Sequence, residues 1–551
     1  AFRAIARALP MSQQVPDNQT ATDWLDRRHV HVLVLGLAVA IGYVWGIGTL
    51  PLFDLDEGAF TGATWAMFER GDFLVPYLND EPRFAKPVLI YWLQAPFVAV
   101  FGFHEWAFRL PSVLASTLWV AMIYLFADRY LNPRAAFFAA LIPATAMMTT
   151  VVGKAAISDA VLLLLLTGAV FATFNHWVSG ERRWIRWAYL AMALGFLTKG
   201  PVAVVIPAAT SFLFYLMTGK GRAWWRAVLD WQGLLLFVVV AVPWYVLVWL
   251  EYGQLFIDEF FLKNNLGRFD EPMEGHSGGY WYYPVVTFVA LLPFTGAVLT
   301  SLRHFRSDWV NPLQAPGSLP LALRRFGWIW FLVTLLLFTF SGTKLPHYLG
   351  YGLVGLMLVM GSHLPQVRSR ALHLLPVAAF LLFVLALPTL VNLYHDQIKP
   401  SYVQDMLAER DRYFGAAWYV VAGLSLLLVL LPLASRRWPL PNVLVPAALS
   451  FAIVVNALVL HAVGQMQQGP IREAGLMARD LSGDLVMRGM NTPSFGVYAQ
   501  RVVERRDPRA GDLLLTRNKH ASGIPGEILY ARGGVVLVRV GEDDPAAGPA
   551  D

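Results

Sequence analysis

The chain has 551 residues, 57% of them hydrophobic and only 15% charged, with a mean hydropathy of +0.51. Soluble domains carry about 25% charged residues, so this composition excludes a soluble globular protein and points to a polytopic membrane protein. The formal net charge of +6 excludes little: in a membrane chain the excess Arg belongs in cytoplasmic loops, and no nucleic-acid partner is expected. Cys is absent, which excludes a disulfide framework and a thiolate metal site.

A helix that crosses a bilayer needs about 20 mostly apolar residues. Such windows fall at 29–50, 108–127, 133–151, 159–177, 184–199, 201–218, 231–250, 283–301, 325–341, 345–362, 371–393, 415–434 and 441–463. That reading gives about 13 transmembrane helices. The first window is too long for a cleavable signal and no small-residue cleavage site follows it, so it is expected to stay as an anchor. One further apolar piece, 87–104, is expected to lie on the membrane surface or to re-enter it. Leaving it out of the count puts the Arg clusters (Arg27 and Arg28, Arg182 to Arg186, Arg222 and Arg226, Arg324 and Arg325, Arg436 and Arg437) on one side. The N-terminus is then cytoplasmic and the C-terminal tail faces the other side, the periplasm of a bacterium.

The expected organisation is a transmembrane domain over 1–463, with a first outside loop at 51–107, and a soluble α+β domain over 464–551. In that domain PIREAGLMARDL reads as a short helix, and SFGVYAQ, GDLLLTR and GEILYARGGVVLVRV read as strands.

The outward loops carry the polar residues. PLFDLDEGAF, residues 51–60, holds Asp54, Asp56 and Glu57 just after the first span. Phe60, Ala63 and Met67 then share one face, which predicts a helix lying on the membrane surface. A helix cap is the bland reading of Asp56. Lys86, Lys154, Asp159, Lys199, Arg268, Lys344, His347 and Tyr348 recur in the same outward layer. Singly, each Lys reads as a helix-end anchor that snorkels to the interface. Together they place cations where the positive-inside rule leaves few, and Lys and Arg beside carboxylates suit a phosphate bound next to a reacting centre. Gly200 and Pro201 make a tight turn between two spans, which reads either as a plain reversal or as a device that holds Lys199 at a fixed depth. His276 and His347 are weak candidates for a divalent ion, since their spacing fits no ligand pattern. There is no P-loop, GxGxxG, HExxH or GxSxG motif. Few charges fall inside the spans, which argues against an ion-coupled transporter.

The ordered set LDE (55–57), ERGDFLVPYLN (69–79), FAKP (84–87) with YW (91–92), LTKGP (197–201) and KLPHY (344–348) resembles the GT-C membrane glycosyltransferases. Within that class the chain is similar to the protein O-mannosyltransferase-like branch, and most to the bacterial 4-amino-4-deoxy-L-arabinose transferases that modify lipid A. The resemblance covers nearly the whole chain. It departs from the family at Gly58-Ala59-Phe60, where the family has x-Arg-Tyr, and at Ala85, where the family has Glu.

The resemblance implies a sugar donor linked to undecaprenyl phosphate, a lipid A phosphate acceptor, an inner-membrane location and resistance to polymyxin and other cationic peptides. Asp56, Glu57 and Asp159 are the candidate catalytic residues. Lys86, Arg268, Lys344, Tyr348 and Lys199 are the candidate ligands of the lipid phosphate, with Lys86 first. No metal is required, and a monomer is expected. Two other classes remain: a polyprenyl-phosphate-sugar transferase acting on protein or polysaccharide, and a non-catalytic polyprenyl-phosphate flippase.

Overall fold

The computed structural model describes residues 23–272, 275–310, 319–521 and 523–541. The ends of both expected domains, before 23 and after 541, lie outside the described residues. Seven described helices are long and apolar enough to cross a membrane. The other expected spans fall on shorter or broken helices. The first is α1, Arg28–Val39, which a wider turn extends only to Val44, so the apolar run to 50 leaves the helix early.

The first outside loop builds α2, Asp56–Arg70, a two-residue hairpin of β1 (Tyr77–Leu78) and β2 (Glu81–Pro82), and α3, Leu89–Phe101. With 13 residues and about 1.5 Å of rise each, α3 is too short to cross a core about 30 Å thick. The membrane part continues through α4 (Glu105–Tyr130), α5 (Pro133–Thr145), α6 (Met147–Val152), α7 (Asp159–Ser179), α8 (Arg182–Lys199), α9 (Val202–Met217), the short α10 (Gly221–Val228) and α11 (Trp231–Tyr252). Then come α12 (Tyr282–Ala290), α13 (Thr295–Val310), α14 (Leu319–Thr339), α15 (Gly350–His363), α16 (Arg370–Tyr394), α17 (Ser401–Leu407) and α18 (Ala416–Ala434). Small residues let these helices close up. A Cβ on Gly355 would lie 2.3 Å from the Gly327 carbonyl oxygen, so α14 and α15 cross almost backbone to backbone.

The last span departs from expectation. α19, Leu440–Ile453, runs through a wider turn, Val454–Val459, straight into α20, Leu460–Arg479. The change to polar composition near 464 therefore marks where the helix leaves the lipid, not where it ends, and the expected separate helix at 470–481 is its upper part. Beyond it a five-stranded sheet has the order β4-β3-β5-β7-β6, with β3 (Leu485–Met487), β4 (Val503–Glu504), β5 (Leu513–Arg517), β6 (Gly526–Arg532) and β7 (Val535–Val540). The hairpin between β6 and β7 turns on Gly533 and Gly534, both at positive φ as a tight hairpin requires.

SFGVYAQ is not a strand: Ser494–Ala499 is a helix, α21. Its side chains are buried on all sides because it is wedged between α20 and α2, and a short apolar run cannot declare its period. Through α21 the small domain is bolted to the membrane part. Val497 and Tyr498 pack with Leu52, Val98, Phe108 and Ala156, and the Tyr498 hydroxyl accepts the Leu52 amide at 2.7 Å.

Candidate active site

Where α2 and α7 begin and α8 ends, a cavity of about 1140 Å³ opens under the C-terminal domain. Its walls come from the start of α2, the β1–β2 hairpin, the stretch before α3, and the segments around Arg268 and Leu345–Tyr348. Its roof is Asn491, Pro493 and Val502–Arg506.

The three carboxylates of the first loop have three different fates. Glu57 turns into the protein. Its two oxygens take Arg109 Nε at 2.8 Å and Nη2 at 2.6 Å, and accept the amides of Phe53 at 2.9 Å and Ala156 at 2.7 Å. Burial opposes its charge, but the Arg109 guanidinium and these hydrogen bonds hold the carboxyl below its usual range. Asp54 turns to the C-terminal domain, where it accepts the Ser494 amide at 3.0 Å and the Ser494 hydroxyl. Burial pushes its carboxyl up to about 7, with the Ser494 hydrogen bonds pulling the other way. Asp56 alone lines the cavity. It is the first residue of α2 and not its cap, the cap position being Leu55, and it makes no hydrogen bond or ion pair among the described residues. The expected catalytic pair is thus split: Asp56 faces the cavity and Glu57 does not, because Arg109 claims it.

The second expected acid, Asp159, is the first residue of α7 and lines the cavity. It accepts Lys199 Nζ at 2.8 Å and the Tyr351 hydroxyl at 2.6 Å, and His347 Nε2 stands 3.8 Å away. Lys199 reaches it from the end of α8, where Gly200 turns the chain at φ +78° and its α-hydrogen faces Phe260 too closely for a Cβ. Lys199 is thereby neutralised by Asp159 and serves the cavity wall.

Lys86 is different. Its ammonium donates only to the Ala85 carbonyl, at 3.0 Å, and has no carboxylate partner among the described residues. Burial first, then the nearby charges of Lys199, Arg268 and Arg83, hold its pKa well below the usual lysine value. An anion entering the cavity would relieve both effects. Arg268 donates to the Tyr348 hydroxyl at 3.2 Å, so this expected pair comes together in the cavity wall.

Lys344, expected beside them, does not line the cavity. Its ammonium is fixed by the carbonyls of Thr339 and Ser341, each at 2.8 Å, because the chain turns there and leaves helix-end oxygens to satisfy. Lys154 is likewise spent on Trp45 O and Asn456. His276 and His347 both line the cavity, yet no cluster of three or more His, Asp or Glu side chains suited to a metal occurs among the described residues.

The structure adds residues that the sequence did not single out. Arg83 lines the cavity, donates to the Tyr91 hydroxyl at 2.9 Å and lies over the Phe60 ring. Its position three residues before Lys86 was the available signal. Arg505 lines the roof without a carboxylate partner among the described residues, whereas its neighbour Arg506 is taken up by Asp512 and Glu504. A free carboxylate, a desolvated lysine and arginines on two walls can hold a phosphate beside a centre where positive charge develops.

Residues 85–249 match the family model described as dolichyl-phosphate-mannose-protein mannosyltransferase. The chain is 30% identical over 357 residues to an uncharacterized protein of Aquifex aeolicus, covering 64% of this chain and 77% of that one. It is also 30% identical over 354 residues to the undecaprenyl phosphate-alpha-4-amino-4-deoxy-L-arabinose arabinosyl transferase of Pseudomonas paraeruginosa, covering 63% of this chain and 62% of the relative. In fold it is similar to the crystal structure of ArnT from Cupriavidus metallidurans bound to undecaprenyl phosphate, with a TM-score of 0.77 at 19% identity over 95% of this chain and 99% of that one.

Proposed function

Because the chain belongs to the GT-C membrane glycosyltransferases, in the protein O-mannosyltransferase-like branch with the bacterial aminoarabinose transferases, we propose the following reaction. It transfers 4-amino-4-deoxy-L-arabinose from undecaprenyl phosphate to a lipid A phosphate at the periplasmic face of the inner membrane. The observation that carries this reading is that Asp56 and Lys86 line one cavity, each without a partner of opposite charge among the described residues.

The anomeric carbon loses its bond to the undecaprenyl phosphate oxygen and gains one to an acceptor phosphate oxygen. The donor phosphodiester becomes a phosphomonoester as the acceptor phosphomonoester becomes a diester, so charge balances and no proton need move. The leaving phosphate gathers negative charge beside Lys86, with Arg268 and Arg83 close by, and such groups act most strongly where water is excluded. Asp56 stabilises the positive charge of the oxocarbenium-like sugar or holds its amino group. A hydroxyl acceptor on protein or polysaccharide would instead make Asp56 the base. Ala59 and Ala85, where the family has Arg and Glu, favour testing other sugars as a second reading.

The test expresses the parent, Asp56→Asn and Lys86→Ala in a polymyxin-sensitive bacterium that lacks its own transferase but makes the donor lipid. Lipid A is read by mass spectrometry. An added aminopentose with the parent, lost in both variants at equal membrane abundance, supports the proposal. No addition by the parent removes the aminoarabinose assignment and sends the search to other lipid-linked sugars.

A further inference from the structure

A second cavity, of about 450 Å³, lies at the opposite ends of two helices that wall the first, α7 and α8. α7 begins at Asp159 in the active-site wall and ends at Ser179 in the wall of this one. Its 21 residues, at about 1.5 Å each, cover about 30 Å, the thickness of the hydrocarbon core. The second cavity therefore sits at the other membrane surface, among the Arg clusters that the charge alternation assigns to the cytoplasm.

Arg182, Lys220 and Arg226 line it. Neither arginine has a carboxylate partner among the described residues. Lys220 is held in place by the Trp177 carbonyl at 2.8 Å and lies 4.4 Å from the centre of the Trp177 ring. The cavity's carboxylate, Asp230, is already used: it accepts the Gly233 amide at 3.0 Å and stands 3.7 Å from Arg186 Nε. The positive charge of the cavity is thus left uncompensated.

The surroundings choose between a dissolved anion and a lipid. Chain neighbours of the lining residues expose large apolar side chains: Trp225 beside Arg226 is 57% exposed, and Leu229 and Trp231 around Asp230 are 69% and 65% exposed. Indole rings at this depth mark the lipid–water interface, and basic pockets between helices on the cytoplasmic side suit anionic head groups. We infer that this corner of α7, α8, α9 and α10 is a binding site for an anionic phospholipid, its phosphate held by Arg182, Arg226 and Lys220 and its acyl chains lying against the exposed tryptophans. The site is independent of glycosyl transfer at the other surface.

The test uses the full chain in detergent, titrated with phosphatidylglycerol or phosphatidylcholine of matched chains and read by native mass spectrometry. The wild type is expected to bind phosphatidylglycerol more tightly than phosphatidylcholine. The R182Q/R226Q variant is expected to bind phosphatidylglycerol about 30-fold more weakly, the worth of two surface arginines. R226Q alone, on an exposed position of α10, serves if the double variant aggregates, and melting curves establish which variants are folded. Unchanged phosphatidylglycerol binding in a folded variant overturns the site. Displacement of the lipid by glycerol 3-phosphate at equal concentration overturns its lipid part and leaves a site for free phosphate.

Discussion

Glu57 and Arg109, 52 residues apart in the chain, meet in a two-pronged ion pair with side-chain exposures of only 3% and 2%. The other Arg109 donors reach the carbonyls of Ile47, Leu50 and Pro51, so one guanidinium fastens the chain before α2 to α4. Glu57→Ala leaves that guanidinium buried and unpaired, at an expected cost of about 3–5 kcal/mol. Protein melting at far lower temperature in detergent, or failing to accumulate in membranes, is the expected outcome. A Glu57→Gln protein that melts like the wild type but transfers no sugar would place Glu57 in the chemistry instead.

Lys86 and Asp56 should separate binding from turnover. If Lys86 holds the lipid phosphate as proposed, Lys86→Ala should weaken undecaprenyl phosphate binding by roughly 10- to 100-fold. Asp56→Asn should leave that binding within about twofold and lower turnover about 100-fold or more. Binding by titration and turnover with the purified donor give the two readouts. The same loss of binding in both variants would contradict this division.

The depressed pKa of Lys86 has a sign that can be measured. Burial and the neighbouring cations favour the neutral amine, and a bound phosphate favours the ammonium. Undecaprenyl phosphate affinity should therefore fall as pH rises through a range well below the ordinary lysine value, with proton uptake on binding in that range. Lys86→Arg, which stays charged, should flatten the profile. An identical profile in both proteins would remove Lys86 as its source.

Asp54 makes stability depend on pH through its burial, which the hydrogen bonds from Ser494 only partly offset. Its folded pKa is raised to about 7, so the folded state holds its proton more tightly than the unfolded chain does. The stabilisation is complete below about pH 4 and is lost as pH rises through about 7. The melting temperature of the wild type relative to Asp54→Asn should fall across that window. Gly58 is part of the same contact: a Cβ there would lie 1.8 Å from Asp54 Oδ1 and 2.7 Å from the Ser494 amide nitrogen. Gly58→Ala should loosen the C-terminal domain even though it improves helix propensity, which limited proteolysis would detect.

Arg505 brings a charge from the C-terminal domain into the cavity roof. A cavity of about 1140 Å³ exceeds the usual range for one small ligand, about 300–1,000 Å³, so a second substrate has room under that roof. Arg505→Gln is expected to raise the KM for a phosphorylated acceptor about tenfold and leave donor binding unchanged. A change in donor binding alone would assign Arg505 to the donor phosphate.

Much of this arrangement was legible because it sits at helix ends. Asp56, Lys86, Asp159, Lys199, Arg268, His347 and Tyr348 all lie in connecting segments, short turns or at the first or last residue of a helix, and the structure brings them to one cavity. Two things were not legible. Asp56 and Glu57 are neighbours in a first turn, and only the position of Arg109 in space separates their roles. Lys344 reads like Lys86 in the chain, but a lysine can serve a ligand or a row of helix-end carbonyls, and the choice is made by how the turn after α14 closes. The Ser494–Ala499 helix was hidden for a similar reason, since burial on every side erases periodicity.

The unbroken run from Leu440 to Arg479 has a practical consequence. At about 1.5 Å per residue its 40 residues reach about 60 Å, twice the hydrocarbon thickness. The C-terminal sheet is carried on a mast that is also a transmembrane helix. A truncation placed at the change in composition near 464 would saw through that mast and strip the cover from Leu52 and Phe108 below it. Anyone seeking a smaller crystallisable enzyme, or a site for a reporter, should leave the mast whole and work beyond its tip.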